Sequence, residues 1–267
     1  MNLHFVSYAS NAYENYIGRN KYFVNKYVKP RSATYYTFRD LQADKIYQTN
    51  RHIFDASPAG YYAWKPWAIL KRFKEIPDDD VLIYHDCGMG FRYVNLLKPS
   101  ALLRIVEKNG NMPGVTVPHF GPNRYWTTKQ CFEHMKCDTI EYLNAPQVEA
   151  SISLWKKNTD NLLFLTDWLQ HCLMDDCILP PHELNFCKQS PDFVSHRFDQ
   201  SILTNLTYKY DFTPLTSKFD SGLTKSLTLI ELEQRLQNIQ SSRLYVLFIY
   251  FAKIASRIRN INVKKYK

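Results

Sequence analysis

The chain lacks the short motifs that assign a common chemistry by themselves. It has no Gly-x-Gly-x-x-Gly fingerprint, no Walker-type loop and no Gly-x-Ser-x-Gly elbow, which sets aside the usual dinucleotide, P-loop and serine-hydrolase signatures. Glycine is scarce, at eight in 267 residues. The six cysteines (Cys87, Cys131, Cys137, Cys172, Cys177 and Cys187) are too scattered for a disulfide scaffold, and none forms a Cys-x2-Cys pair that would suggest zinc. They read as reduced thiols of a cytosolic enzyme. His182 with Glu183, and His171 near Cys172, lack partners at metal-ligand spacing. The first residues, Met1–Tyr8, have neither a basic region nor a long apolar stretch, so they read as a first strand rather than a signal peptide. No run approaches the roughly 20 apolar residues of a spanning helix. There is also no internal repeat and no low-complexity linker.

What is abundant is aromatic side chains, 15% of the chain, with 19 tyrosines that suit pocket walls as well as plain packing. The net charge of +9 favours anionic partners, namely nucleotide phosphates, nucleic acid or an acidic membrane face. Much of it sits in one segment. Arg243, Lys253, Arg257, Arg259, Lys264, Lys265 and Lys267 occur there without an acid, beside the apolar run Leu244–Phe251 and the spaced Ile254, Ile258 and Ile261. Such a basic amphipathic stretch can lie on an anionic membrane, and it can equally dock on the rest of the protein. The expected organisation is a catalytic domain over 1–222 and a basic helical tail over 223–267. Nucleic acid is not an expected partner, because charge alone would support it, without a recognisable binding module.

Periodicity and turn residues predict an α/β fold. A strand over His4–Ser10 is followed by a helix from about Ala12 to Lys26, a second strand over Ala33–Phe38 and a polar helix over Asp40–Ile53. Pro66 suits the first turn of a helix with Trp67, Leu70, Phe73 and Ile76 on its apolar face. A strand then ends at Asp86. Further on, a helix from Lys98 to Asn109, strands over Gly114–Phe120 and Val148–Trp155, and helices near Thr127, over Asp160–Met174 and over Asp199–Tyr208 complete the pattern. The Asn205-Leu206-Thr207 sequon reads as chance.

Three stretches concentrate polar chemistry. The run Val81–His85 ends in Asp86-Cys87-Gly88, which puts a carboxylate where α/β sheets bind ligands; it could contact a ribose, a sugar or a cation, or be a simple turn acid. The Asp78-Asp79-Asp80 cluster, at the opposite end of that strand, reads as a solvated turn. In Tyr62-Ala63-Trp64-Lys65-Pro66-Trp67 a lysine between tryptophans could meet a diphosphate while a ring stacks on a base or sugar; alternatively both tryptophans are core and Lys65 snorkels to solvent. In His196-Arg197-Phe198-Asp199-Gln200-Ser201 polar groups gather at a helix start, where Asp199 is either part of the chemistry or only an N-cap. Arg39, Arg51, Arg92 and Arg124 are other phosphate candidates.

In this order, the three stretches resemble GT-A-type glycosyltransferases encoded with bacterial surface-polysaccharide and lipopolysaccharide genes, over roughly residues 1–215. The resemblance implies a Rossmann-like mixed sheet flanked by helices that binds a nucleotide-diphosphate sugar, with a glycan or lipid-linked acceptor. It implies donor contacts at Asp86, Gly88, Lys65, Trp64, Tyr8 and Arg39, and catalytic roles for Asp199, Gln200 and His196. Glu149 is a further candidate base. Manganese or magnesium on the diphosphate is also implied, with Asp86 as its ligand, but Gly88 stands where the family carries a second acid, so metal dependence stays open. The expected place is the cytoplasmic face of the membrane, held peripherally by the tail. The alternative is a noncatalytic membrane-associated scaffold with a degenerate GT-A domain.

Overall fold

The computed structural model describes residues 1–88, 99–116, 120–184 and 188–216. The expected tail, Arg92, Cys187 and residues 117–119 of the strand expected over Gly114–Phe120 lie outside the described residues. Within them no helix is long and apolar enough to cross a membrane.

Strand β1 (Leu3–Ala9) is buried along its whole length, as is β3 (Val81–His85), so both faces of the sheet centre are covered. β1 lies between β2 (Ser32–Thr37) and β3, parallel to both, with Val6 opposite Thr34 on one side and Tyr84 on the other. β7 (Ile152–Lys156) runs antiparallel to β3, and β4 (Asn111–Met112) closes the order β2-β1-β3-β7-β4. The architecture is therefore mixed α/β, with helices packed on a mixed sheet. The chain leaves β1 for β2 on one side and returns to β3 on the other, which opens a crevice beyond the C-terminal ends of β1 and β3.

Helix α1 (Ile17–Phe23) follows a 3-10 turn over Asn11–Tyr16 and ends in a wide turn over Val24–Val28, matching the expected first helix in place. The single helix expected over Asp40–Ile53 is instead three: α2 (Phe38–Gln42), α3 (Lys45–Thr49) and α4 (Arg51–Phe54). Side chains cause the breaks. Asp44 caps α3 by accepting from the Ile46 N–H at 3.2 Å, and Asn50 leaves helical geometry while its amide donates back to the Ile46 carbonyl at 2.9 Å. α5 (Trp64–Glu75) then buries Trp67, Ala68, Ile69, Leu70 and Phe73 against the sheet and against α9 (Thr159–Cys172). Lys71 and the Trp67 indole both reach Asp44, at 2.7 and 3.1 Å, tying α5 to α3.

α6 (Pro99–Asn109) leads into β4, and of the strand expected after it the described residues include β5 (Val115–Thr116). The strand expected over Val148–Trp155 is broken by a turn at Ala150-Ser151 into β6 (Val148–Glu149) and β7, which join different sheets. β6, β5 and β8 (Leu215–Thr216) make a small second sheet. α7 (Lys129–His134), α8 (Ile140–Asn144), α10 (Asp175–Ile178) and α11 (Asp199–Lys209) complete the described elements.

Two side expectations change or gain a cause. Asp80 is buried rather than solvated, accepting from the Asn2 N–H at 2.6 Å and lying 3.0 Å from His4 Nε2, because it must fasten the N-terminal ends of β1 and β3. The sequon is closed off: Asn205 is fully buried and its side-chain oxygen accepts from Asn123 at 2.7 Å.

Candidate functional site

Three segments meet at the C-terminal ends of β1 and β3. Tyr8 comes from β1, Asp86 from the end of β3, and Lys65 from the first turn of α5. Asp199 joins them from the start of α11. Lys65 Nζ lies 3.4 Å from Asp86 Oδ1 and 3.5 Å from Asp199 Oδ2. The Lys65 side chain is 7% exposed, Asp199 4% and Asp86 25%, so only Asp86 presents itself substantially to the crevice. The rings of Tyr84, Trp64 and Tyr62 surround the ammonium at 5.7, 5.8 and 5.9 Å, where their negative faces attract a cation. Asp86 is further held by the Tyr84 hydroxyl, which donates to Oδ1, and by its own N–H, which donates to the Ser151 carbonyl at 2.9 Å. The turn that splits the expected strand thus anchors the backbone of Asp86.

Two carboxylates around one ammonium leave a formal excess of one negative charge, which burial makes costly. Burial pushes the Asp199 carboxyl up to about 7; Lys65 opposes the rise and Asp86 adds to it. For Lys65, burial alone would lower the proton affinity, but the attraction of Asp199 and Asp86 wins and the amine is held firmly protonated. Tyr84 is pushed well above the usual phenol range by burial and by Asp86. The cluster therefore switches between neutral and singly negative near pH 7.

The backbone around the cluster is strained. Ala59, Gly60, Tyr61 and Tyr62 all have left-handed φ, at 46, 61, 49 and 61°. Glycine is required at 60, since a Cβ would fall 2.6 Å from the Phe54 carbonyl oxygen. Each non-glycine residue there costs about 1–2 kcal/mol. Tyr61 offsets this by packing: it is 1% exposed, donates to Glu183 at 2.5 Å and stacks on Phe198 at 4.9 Å. Phe198 has φ 53° and ψ −122°, the conformation of the first central residue of a type II′ turn. The Gln200 N–H closes that turn on the Arg197 carbonyl at 3.1 Å. Strain of this kind concentrates where neighbouring side chains must be aimed.

The other expected residues fall into groups. Trp64 lies flat on Tyr8, with centroids 4.1 Å apart and planes 17° off parallel, and its indole N–H donates to the Ala59 carbonyl at 3.0 Å. Gly88 admits the Tyr13 ring, to which a Cβ would come within 2.7 Å. Gln200 sits beside Asp199, and its carbonyl accepts from Thr204 Oγ1 at 2.8 Å. Arg39 is exposed on α2. Glu149, on β6, is buried and accepts from Ser151 Oγ at 3.0 Å. His196 is buried with both ring nitrogens engaged: Nδ1 accepts from the Thr128 N–H at 3.3 Å, and Nε2 lies 2.9 Å from the Cys177 carbonyl. Those partners fix a neutral imidazole, and burial lowers its affinity for a second proton to about 4.

Sequence reasoning did not pick out Tyr84 and Tyr62, although their place in aromatic runs beside Asp86 and Lys65 was a usable signal. Arg197 belongs to the polar stretch His196–Ser201, but the sequence did not disclose its aromatic partner. Its guanidinium lies over the Trp126 ring at 4.3 Å, a contact made only by folding.

A divalent cation does not fit this donor set. Among the described residues no three His, Cys, Asp or Glu side chains gather as a metal site. The two carboxylates that do converge are already bridged by the Lys65 ammonium.

No family model and no curated protein matches the chain. Among solved structures it is similar to mouse xyloside xylosyltransferase 1 in its apo form, with a TM-score of 0.40 and 10% identity, over 83% of this chain and 86% of that one.

Proposed function

We propose that the chain is a glycosyltransferase that moves a sugar from a nucleotide-diphosphate sugar to a glycan or lipid-linked acceptor. The observation that carries this reading is the convergence of Lys65, Asp86 and Asp199 inside an aromatic wall at the crevice between β1 and β3. Carboxylates accept from sugar hydroxyls while ring faces cover the C–H side of a pyranose. The parallel Tyr8–Trp64 pair is the kind of face on which a base or sugar stacks. Gly88 and Arg39 complete the donor side.

Transfer breaks the bond between the anomeric carbon and the diphosphate oxygen, whose electron pair leaves with the nucleoside diphosphate. The acceptor oxygen bonds to that carbon and its proton must be taken up. Asp86, the more exposed acid, touches the sugar. Asp199 sits behind it, holds Lys65 in place and, with a proton affinity near neutrality, sets whether the pair can receive that proton. Glu149 is a second carboxylate for the same role. Gln200 and His196 position α11 and the segment before it, His196 as a neutral imidazole rather than an acid or base.

The setting is the synthesis of surface polysaccharide at the cytoplasmic membrane face, supported by the family resemblance and by the basic segment from Arg243 to Lys267. The test is transfer and hydrolysis over a panel of nucleotide sugars. Asp86→Asn should reduce turnover at least about 100-fold with the fold intact. If the pure protein neither binds nor consumes any member of the panel, and Asp86→Ala leaves cellular glycan unchanged, the reading fails.

A further inference from the structure

A transferred sugar leaves behind a diphosphate, so some cation must meet that charge. Lys65 is the sequence's first choice, yet its ammonium is already compensated by Asp86 and Asp199 and is 7% exposed. The cluster as a whole carries no net positive charge with which to hold an anion. Another cation stands close by.

Arg197 is half-buried two residues before Asp199. Its guanidinium lies over the Trp126 indole at 4.3 Å and 5.8 Å from the Phe120 ring, which fixes the plane of the fork. Nε is buried without a hydrogen bond, and no carboxylate pairs with the guanidinium among the described residues. An arginine whose guanidinium is held against ring faces, with no carboxylate paired to it among the described residues, suits an oxyanion, because the planar fork offers phosphate oxygens parallel donors. Its backbone is equally fixed, with the N–H donating to the Trp126 carbonyl at 3.0 Å and to Ser201 Oγ at 3.1 Å. Tyr62 links the two regions: its ring centroid lies 5.9 Å from the Lys65 ammonium and 6.3 Å from the ring of Phe198, the residue after Arg197. Glu149 acts on Arg197 and opposes the effect of burial, which favours loss of its charge.

We infer that Arg197 is the diphosphate-binding residue, working from the Trp126 side while Lys65 serves the carboxylates. This rests on the glycosyltransferase reading for its biological meaning, although the anion site itself can be tested alone. The shared chemistry is a diphosphate, carried either by the nucleotide donor or by a lipid-linked acceptor.

The probe is inorganic pyrophosphate, titrated calorimetrically into the full chain with chelator present. Wild type should bind it, Arg197→Gln should weaken binding at least about tenfold, and Arg197→Lys, which keeps the charge without the fork, should fall between. Thermal melting checks that each variant is folded, and if Arg197→Gln is not, Arg197→Lys decides. Displacement of pyrophosphate by uridine diphosphate assigns the site to the donor, and displacement by farnesyl diphosphate assigns it to the acceptor; either supports the inference. Equal binding by wild type and both variants, absence of binding in the millimolar range, or binding only with added magnesium overturns it. Pyrophosphate binding through Arg197 without consumption of any nucleotide sugar would sink the transferase reading and leave the anion site standing. Sugar transfer with Arg197 variants unaltered in pyrophosphate binding would do the reverse.

Discussion

The Lys65 ammonium and the Asp199 carboxylate face each other at 3.5 Å with 7% and 4% of their side chains exposed. Neither could be buried alone without a large loss of hydration. Asp86 shares the same ammonium at 3.4 Å, so one lysine is divided between two acids.

Removing that lysine should therefore damage stability more than its hydrophobic surroundings suggest. Lys65→Met fills a similar volume but strands two carboxylates, and the expected loss is about 3–5 kcal/mol in urea unfolding. Adding Asp199→Asn removes one stranded charge. The double variant Lys65→Met/Asp199→Asn should recover about 1–3 kcal/mol relative to additive losses. Strict additivity would show that the three groups are not coupled as the distances indicate.

The pH dependence contains two opposed contributions. Asp199, raised to about 7, binds its proton more tightly when folded; the stability this supplies is complete below the ordinary carboxyl range and is lost as pH rises through 7. His196, lowered to about 4, does the reverse: its contribution is complete above the ordinary imidazole value and is lost as pH falls through 4. Between about pH 4 and 6.5 the two slopes have opposite signs and similar size, each at most about 1.4 kcal/mol per pH unit. Wild-type stability should accordingly change little from these groups over that range. Asp199→Asn should unmask the histidine, so that unfolding midpoints measured from pH 4 to 6.5 climb with pH more steeply than in wild type. Parallel profiles for the two proteins would contradict the burial-driven shift at Asp199.

How far the sequence discloses this site depends on which interactions are local. The apolar run ending at Asp86 and the proline after Lys65 mark a strand end and a helix start, and both lie where expected. The breaks in the expected Asp40–Ile53 helix were readable too, since Asp44 and Asn50 are capping residues within it. The bend at Ala150-Ser151 was not, because alternation of apolar and polar residues continues across it without glycine or proline. Burial of Lys65 was hidden for another reason: a lysine beside tryptophans usually snorkels outward, and only its distant partner Asp199 holds it inside. The Arg197–Trp126 stack is likewise tertiary, with no spacing that announces it.

At the far end of the sheet, Asp80 joins β1 and β3 through Asn2 and His4. Burial by itself would raise its carboxyl, but hydrogen bonds from His4 and Asn2 hold it down to about 2. Its stabilising contribution is present above the ordinary carboxyl range and is lost as pH falls from about 4 through 2. Asp80→Asn should cost about 1–2 kcal/mol at pH 7 and shrink the acid-induced loss over that window. Acid titration of the unfolding midpoint for both proteins checks this, and an unchanged acid limb would rule out Asp80 as its source.

Phe198 carries the turn that sends Arg197 toward Trp126 and Asp199 toward Lys65. Its φ of 53° with ψ −122° suits glycine, while its ring stacks on Tyr61 at 4.9 Å and meets His196 edge-on at 5.5 Å. Two substitutions separate these contributions. Phe198→Ala loses the ring and keeps the strained backbone, whereas Phe198→Gly loses the ring and relieves the strain. Both should be less stable than wild type, and the glycine variant should exceed the alanine variant by about 1 kcal/mol despite the greater freedom of glycine when unfolded. Loss of strain also loosens the turn, so Phe198→Gly should weaken pyrophosphate binding and sugar turnover more than its stability alone accounts for. An alanine variant as stable as the glycine variant would mean that the ring, not the backbone, is what the site requires of this position.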